Sequence, residues 1–129
     1  MMRVIGTKTH AYLDYIMGVL LIIAPWVFGF YQGGAETWIP VIFGSGTIIY
    51  SLLTNYELSV WRMMSMRTHL NLDMINGALL AASPWLFSFA ADVRQPHVIL
   101  GLIEIGIALI SKREPFAERK QTTHTATLH

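Results

Sequence analysis

The stretch Thr9–Phe30, THAYLDYIMGVLLIIAPWVFGF, has a near-copy at Thr68–Phe89, THLNLDMINGALLAASPWLFSF, and the two align without a gap. More than half of the positions are identical: Thr, His, Leu, Asp, Ile, Gly, two Leu, Pro, Trp and two Phe recur at one spacing. After a two-residue difference in the following loop the match resumes more weakly. Val41, Ile42 and Gly44 fall on Val98, Ile99 and Gly101, and Glu57 falls on Glu114. Self-similarity on this scale marks a supersecondary unit present twice. Each copy holds two long apolar runs, so the expected unit is a helical hairpin.

With 53% hydrophobic and 13% charged residues and a mean hydropathy of +0.47, the chain is unsuited to facing water on all sides. Charge-free runs extend from Tyr15 to Ala35, Thr37 to Tyr56 and Met74 to Ala91. Each is about the length that crosses a ~30 Å hydrocarbon layer as helix. A fourth run, Gln95 to Ser111, contains one acid, Glu104. The first run is too long for the apolar core of a cleavable signal and is expected to stay as an anchor.

Arg3 and Lys8 precede the first run, Arg62 and Arg67 lie between the second and third, and Lys112, Arg113, Arg119 and Lys120 follow the fourth; only Arg94 falls elsewhere. By the positive-inside rule both termini and the central loop are expected in the cytoplasm, with the loops Gln32–Glu36 and Ala90–Gln95 outside. The expected fold is all-α, a four-transmembrane-helix bundle of two tandem parallel hairpins in the cell (inner) membrane, their pseudo-twofold axis along the membrane normal. The expected segments are 1–8, cytoplasmic; 9–56, first hairpin; 57–67, linker; 68–114, second hairpin; and 115–129, a disordered polar tail. Within Tyr56–Arg67, Leu58, Trp61 and Met64 at helical spacing among charged neighbours predict an amphipathic helix at the cytoplasmic interface.

A two-span hairpin with Pro-Trp in its first helix resembles the SPW repeat of small bacterial and archaeal membrane proteins. The second copy carries Ser83-Pro84-Trp85 in full, whereas the first has Ala24 before Pro25 and Trp26. The resemblance implies an integral membrane protein and brings no catalytic residue with it. Physically, each proline removes the helical donor of a carbonyl four residues back, Leu21 or Leu80, so the helix is expected to bend or end there. Ser83 offers the freed Leu80 carbonyl a partner, and each tryptophan is expected in an aromatic belt at the outer headgroups.

Residues three, four or seven apart share a helix face. His10, Asp14, Gly18, Leu21, Pro25 and Phe28 form one stripe, and His69, Asp73, Gly77, Leu80, Pro84 and Phe87 form its counterpart, expected to face the bundle interior. On the plain reading Thr9 and Thr68 are N-caps, and the acids suit a positive helix start. On the sharper one, two His-x-x-x-Asp pairs meet across the pseudo-twofold near the cytoplasmic surface. Glu104 lies near the expected midplane, at a depth matched by Asn76, and the two are expected to be hydrogen-bonded. The first copy has Met17 and Thr47 at these places, so the polar lane His69, Asp73, Asn76, Glu104 belongs to one half only.

Without a cysteine, thiolate metal sites, disulfides and cysteine nucleophiles are excluded. No nucleotide, phosphate or nucleophile motif is present, so neither an enzyme nor a nucleic-acid partner is expected. The leading expectation is a non-enzymatic membrane packing or binding module. Its expected partners are the lipid bilayer and a second copy or another membrane protein, and no cofactor is expected. One alternative is a proton- or cation-linked transporter component using the His69–Glu104 lane. Another is a redox protein in which His10 and His69 hold haem b or a metal ion.

Overall fold

The computed structural model describes residues 3–54 and 58–113. Four helices follow one another: α1 (Thr7–Val27), α2 (Ala35–Leu52), α3 (Met66–Leu86) and α4 (Gln95–Ile110). The described residues contain two isolated bridges and no strand, so the chain is all-α. Packing follows the repeat: α1 lies on α2, α3 lies on α4, and α2 meets α3 across the middle.

Facing glycines set both crossings. A Cβ added at Gly44 would lie 2.5 Å from the Gly18 carbonyl oxygen, and one at Gly101 would lie 2.5 Å from that of Gly77. These are matching positions in the two copies, so one close backbone approach is built twice.

The helices start before the expected N-caps, Thr9 and Thr68. α1 follows Gly6, and α3 follows Ser65, whose hydroxyl accepts the Thr68 amide at 3.2 Å. The reason lies in the extended segments leading into them. The Val4 and Ile5 amides donate to the Ile110 carbonyl, at 2.7 and 3.0 Å, and the Met63 and Met64 amides donate to Leu53, at 2.9 Å each. These are again matching positions, so the leader of each hairpin is tied to the last turn of the other.

The same bonds explain why the amphipathic helix expected over Tyr56–Arg67 is absent from its described part. Residues 58–65 are non-helical, and the Val60 and Trp61 amides both go to the Leu52 carbonyl. Carbonyls at a helix end lack internal partners, and here those of α2 take the amides a new helix would need. The expected tail, 115–129, lies outside the described residues.

At the opposite end α1 and α3 stop within a turn of Pro25 and Pro84. The Ser83 hydroxyl donates to the Leu80 carbonyl at 2.7 Å, as expected. The chain then turns through left-handed Gly29, φ +71°, and Ser88, φ +60°. This turn corrects the phase of the stripe. Phe28 and Phe87, expected inside, are exposed, whereas Phe30 and Phe89 swing back and are buried: the Phe28 and Phe87 amides still bond the carbonyl four residues back, and the left-handed residue that follows each turns the chain inward.

Candidate functional site

Four residues between helix spacing and the pseudo-twofold axis form a buried centre. His10 and Asp14 are one turn apart on α1, as are His69 and Asp73 on α3, and all four are buried. Each of these two histidines meets both acids. His10 Nε2 lies 3.0 Å from Asp14 Oδ1 and 2.8 Å from Asp73 Oδ2. His69 Nε2 lies 2.7 Å from Asp14 Oδ2 and 3.1 Å from Asp73 Oδ2. The imidazole rings are edge to face, with centroids 5.3 Å apart.

The back of each ring is held by a hydroxyl of the other hairpin. His10 Nδ1 is 2.6 Å from Ser111 Oγ, and His69 Nδ1 is 2.6 Å from Thr54 Oγ1. Both hydroxyls donate to carbonyls in the preceding turn, Ser111 to Ile107 and Thr54 to Tyr50, each at 2.6 Å. A hydroxyl has one hydrogen, so each oxygen accepts the Nδ1–H, and both Nε2 atoms are directed at the acids. Asp73 is fixed further by the Tyr50 hydroxyl, which donates to Oδ1 and leaves Oδ2 to the histidines.

One step deeper, Asn76 Nδ2 donates to Glu104 Oε2 at 3.0 Å and approaches Thr47 Oγ1 at 3.3 Å. The expected Asn76–Glu104 pair is therefore present, and it adjoins the quartet. A void of about 10 Å³ lies among Asp14, Asp73, Thr47 and Glu104, and Glu104 Oε1 is buried without a hydrogen-bond partner. Thr54, Ser111 and Tyr50 were not singled out in the sequence. The first two fall on each other when the copies are aligned, which is a usable signal; Tyr50 falls on Ile107 and gives none.

The Pro-Trp motifs lie at the other end and take no part in this centre; Trp26 and Trp85 are 54% and 59% exposed. Between them sits a second buried feature missed in the sequence. His97 Nε2 donates to the Glu36 carbonyl at 2.9 Å and tethers α4 to the start of α2. The Phe30 and Phe89 rings close over it, with centroids 5.0 and 4.8 Å away. Glu36 accepts from the Gly34 amide at 3.0 Å and the Thr37 hydroxyl at 2.9 Å.

The family model of the SPW repeat domain matches residues 8–111, nearly all of the described chain. The chain belongs to the SPW repeat family. No curated protein and no solved structure matches it. The matched span takes in the whole quartet and both supporting hydroxyls, so the buried centre lies inside the SPW repeat domain. Its residue types suit cation binding or the holding of protons. Neither hydroxyl is poised as a nucleophile, since each gives its hydrogen to a backbone carbonyl.

Proposed function

We propose that this SPW repeat protein is a small multi-pass membrane module without chemistry of its own. It acts by packing or by binding another membrane component, and the quartet joins its two hairpins. The observation that carries this reading is the reversed polarity of the bundle. Ile16 and Val19 on α1, Ile42 and Ile49 on α2, Ile75 and Leu79 on α3, and Ile99 and Leu102 on α4 are exposed, while His10, Asp14, His69, Asp73 and Glu104 are buried. Apolar surface on every helix around a charged interior suits a hydrocarbon solvent and not water.

Among the described residues α1 alone is long and apolar enough to cross a membrane by length and composition, and α4 is apolar but shorter. Its 16 residues make ~24 Å of helix against a ~30 Å layer, a mismatch that Arg94 and Lys112 at its ends can take up by snorkelling. The Lys and Arg distribution favours both termini inside. Single cysteines at Gln32 and Met63 test this in a chain without native thiols. An impermeant reagent added outside intact cells should label Gln32→Cys and spare Met63→Cys until the cells are opened. The reverse pattern overturns the orientation, and recovery in the soluble fraction overturns the membrane reading.

The void beside Glu104 favours a second reading, proton exchange between Glu104 and the quartet. It has room for about one water. The side-chain route conducts nothing, since an amide does not titrate and Thr47 gives its hydrogen to Phe43 at 2.9 Å. One water makes a local link and no through-path, which is why the packing module comes first. Loss of a measured proton flux in Glu104→Gln of unchanged stability would reverse that order. Haem has the least support: the rings meet at 80° and both Nε2 atoms approach the same Asp73 oxygen, which leaves no slot for a macrocycle.

A further inference from the structure

We infer that His10, Asp14, His69 and Asp73 form a tetrahedral site for one divalent metal ion of the zinc class, with two ligands from each hairpin. One ligand atom from each residue lies within 4.8 Å of all the others. The four His–Asp separations, 2.7 to 3.1 Å, run slightly below the roughly 3.3 Å between neighbouring ligands when bonds of 2.0–2.1 Å are arranged tetrahedrally. The contacts use both Asp14 oxygens, Oδ1 toward His10 and Oδ2 toward His69, so the Asp14 carboxylate would have to turn to present a single oxygen to the ion.

Three features beyond the cluster itself point to a cation. Both imidazoles give Nδ1–H to a hydroxyl whose own hydrogen is committed to a backbone carbonyl. Outer partners of this kind fix the tautomer and ring orientation of metal-binding histidines. Tyr50 holds Asp73 Oδ1, so Oδ2 is presented alone, as a monodentate ligand requires. All four residues are at most 6% exposed, so little bulk water reaches them to solvate bare charge.

Without metal, the same geometry demands an Nε2–H on each ring to meet the carboxylates, giving two imidazoliums and two carboxylates. A divalent ion replaces those two protons and releases them, and the net charge of the centre is unchanged. The donor set of two imidazoles and two carboxylates in a closed shell is a structural one, and it fits zinc better than a redox ion needing an open position. The inference rests on the packing of the two hairpins and is independent of the membrane reading and of proton exchange.

The test uses the full chain, purified in detergent and stripped with a chelator, then titrated with Co²⁺ and Zn²⁺. One Co²⁺ per chain should bind with the intense visible bands of a tetrahedral ion, and Zn²⁺ should displace it. Ser111→Ala and Thr54→Ala should each weaken binding about 10- to 100-fold, while His124→Gln/His129→Gln in the tail should leave it unchanged. X-ray absorption on the wild-type zinc form needs no variant. It should show four N/O ligands at about 2.0–2.1 Å, two of them imidazole. Failure to bind one metal per chain, a six-coordinate shell, or loss of binding with the tail variant overturns the site. None of these outcomes would alter the cysteine-labelling pattern.

Discussion

Alanine at position 101 tests the glycine crossing that brings Glu104 to Asn76. Its Cβ would stand 2.5 Å from the Gly77 carbonyl oxygen, 2.7 Å from the Ala81 amide nitrogen and 2.9 Å from Ala81 Cβ. Two of the three are backbone atoms and cannot rotate away. Ordinary contact begins near 3.4 Å, so α4 must retreat from α3 by about 0.9 Å. The Asn76–Glu104 bond, now 3.0 Å, then passes beyond hydrogen-bonding range. Overpacking costs about 1–3 kcal/mol and a broken buried bond about 1–3 more, offset by about 1 for the better helix former. The net expectation is a loss of about 1–5 kcal/mol.

Gly106 on the same helix supplies the control, since a Cβ there meets nothing within 4 Å. Gly106→Ala should be neutral or stabilising by up to about 1 kcal/mol. Both are read by reversible titration of the purified protein from mild detergent into SDS, followed by helical circular dichroism. Opposite signs are the prediction. If Gly101→Ala is as stable as the wild type, or if both variants move together, the close-approach reasoning is refuted.

Four further substitutions use the same titration. Ser88→Gly should stabilise by about 0.5–1 kcal/mol, because Ser88 holds a left-handed φ of +60° that the first copy gives to Gly29; a loss of stability would contradict this. Tyr50→Phe keeps the ring and removes the donor to Asp73 Oδ1, an expected cost of about 1–3 kcal/mol, and an unchanged midpoint would show that Asp73 needs no orienting partner. Ser83→Ala frees the Leu80 carbonyl at a cost of about 1 kcal/mol, whereas Ala24→Ser, which supplies the missing hydroxyl, should not destabilise.

What could be read from the sequence came from the repeat and from helical phase. His10, Asp14, His69 and Asp73 share a stripe by spacing alone, and the alignment predicts that the stripes face each other. Counting residues inward put Asn76 and Glu104 at one depth. The errors have physical causes as well. The period in Leu58, Trp61 and Met64 was genuine, but the end carbonyls of α2 compete for the amides a helix there would use, and that competition is not local. Phe28 was assigned by helical phase alone, which takes no account of the chain turning back at Gly29 just after α1 ends at Val27. Thr54 and Ser111 were not singled out, and their coincidence in the alignment is the one signal that could have marked them. His97 falls on Pro40 and Tyr50 on Ile107, so the repeat was silent on both.

The pseudo-twofold explains which residues the copies share and which they do not. Near the axis, equivalent residues touch each other, so a change in one copy is felt directly by the other; His10, Asp14, His69 and Asp73 sit there and are identical in type. Away from the axis a residue meets non-equivalent neighbours and the halves can part, as Met17 and Asn76, Thr47 and Glu104, and Tyr50 and Ile107 have done. One hairpin alone carries half of the centre: one histidine and one acid, buried with no counterpart and with the hydroxyl for its imidazole on the other hairpin. Leaving a buried charge without its partners is strongly destabilising, by about 3–5 kcal/mol for a broken pair. The hairpin is therefore the unit of sequence, and the pair of hairpins is the unit of stability. Separate expression of residues 1–57 should give a chain that is stable only as a dimer, with His10 and Asp14 of two copies rebuilding the quartet; a stable monomeric hairpin would show that the centre is not what holds the repeats together.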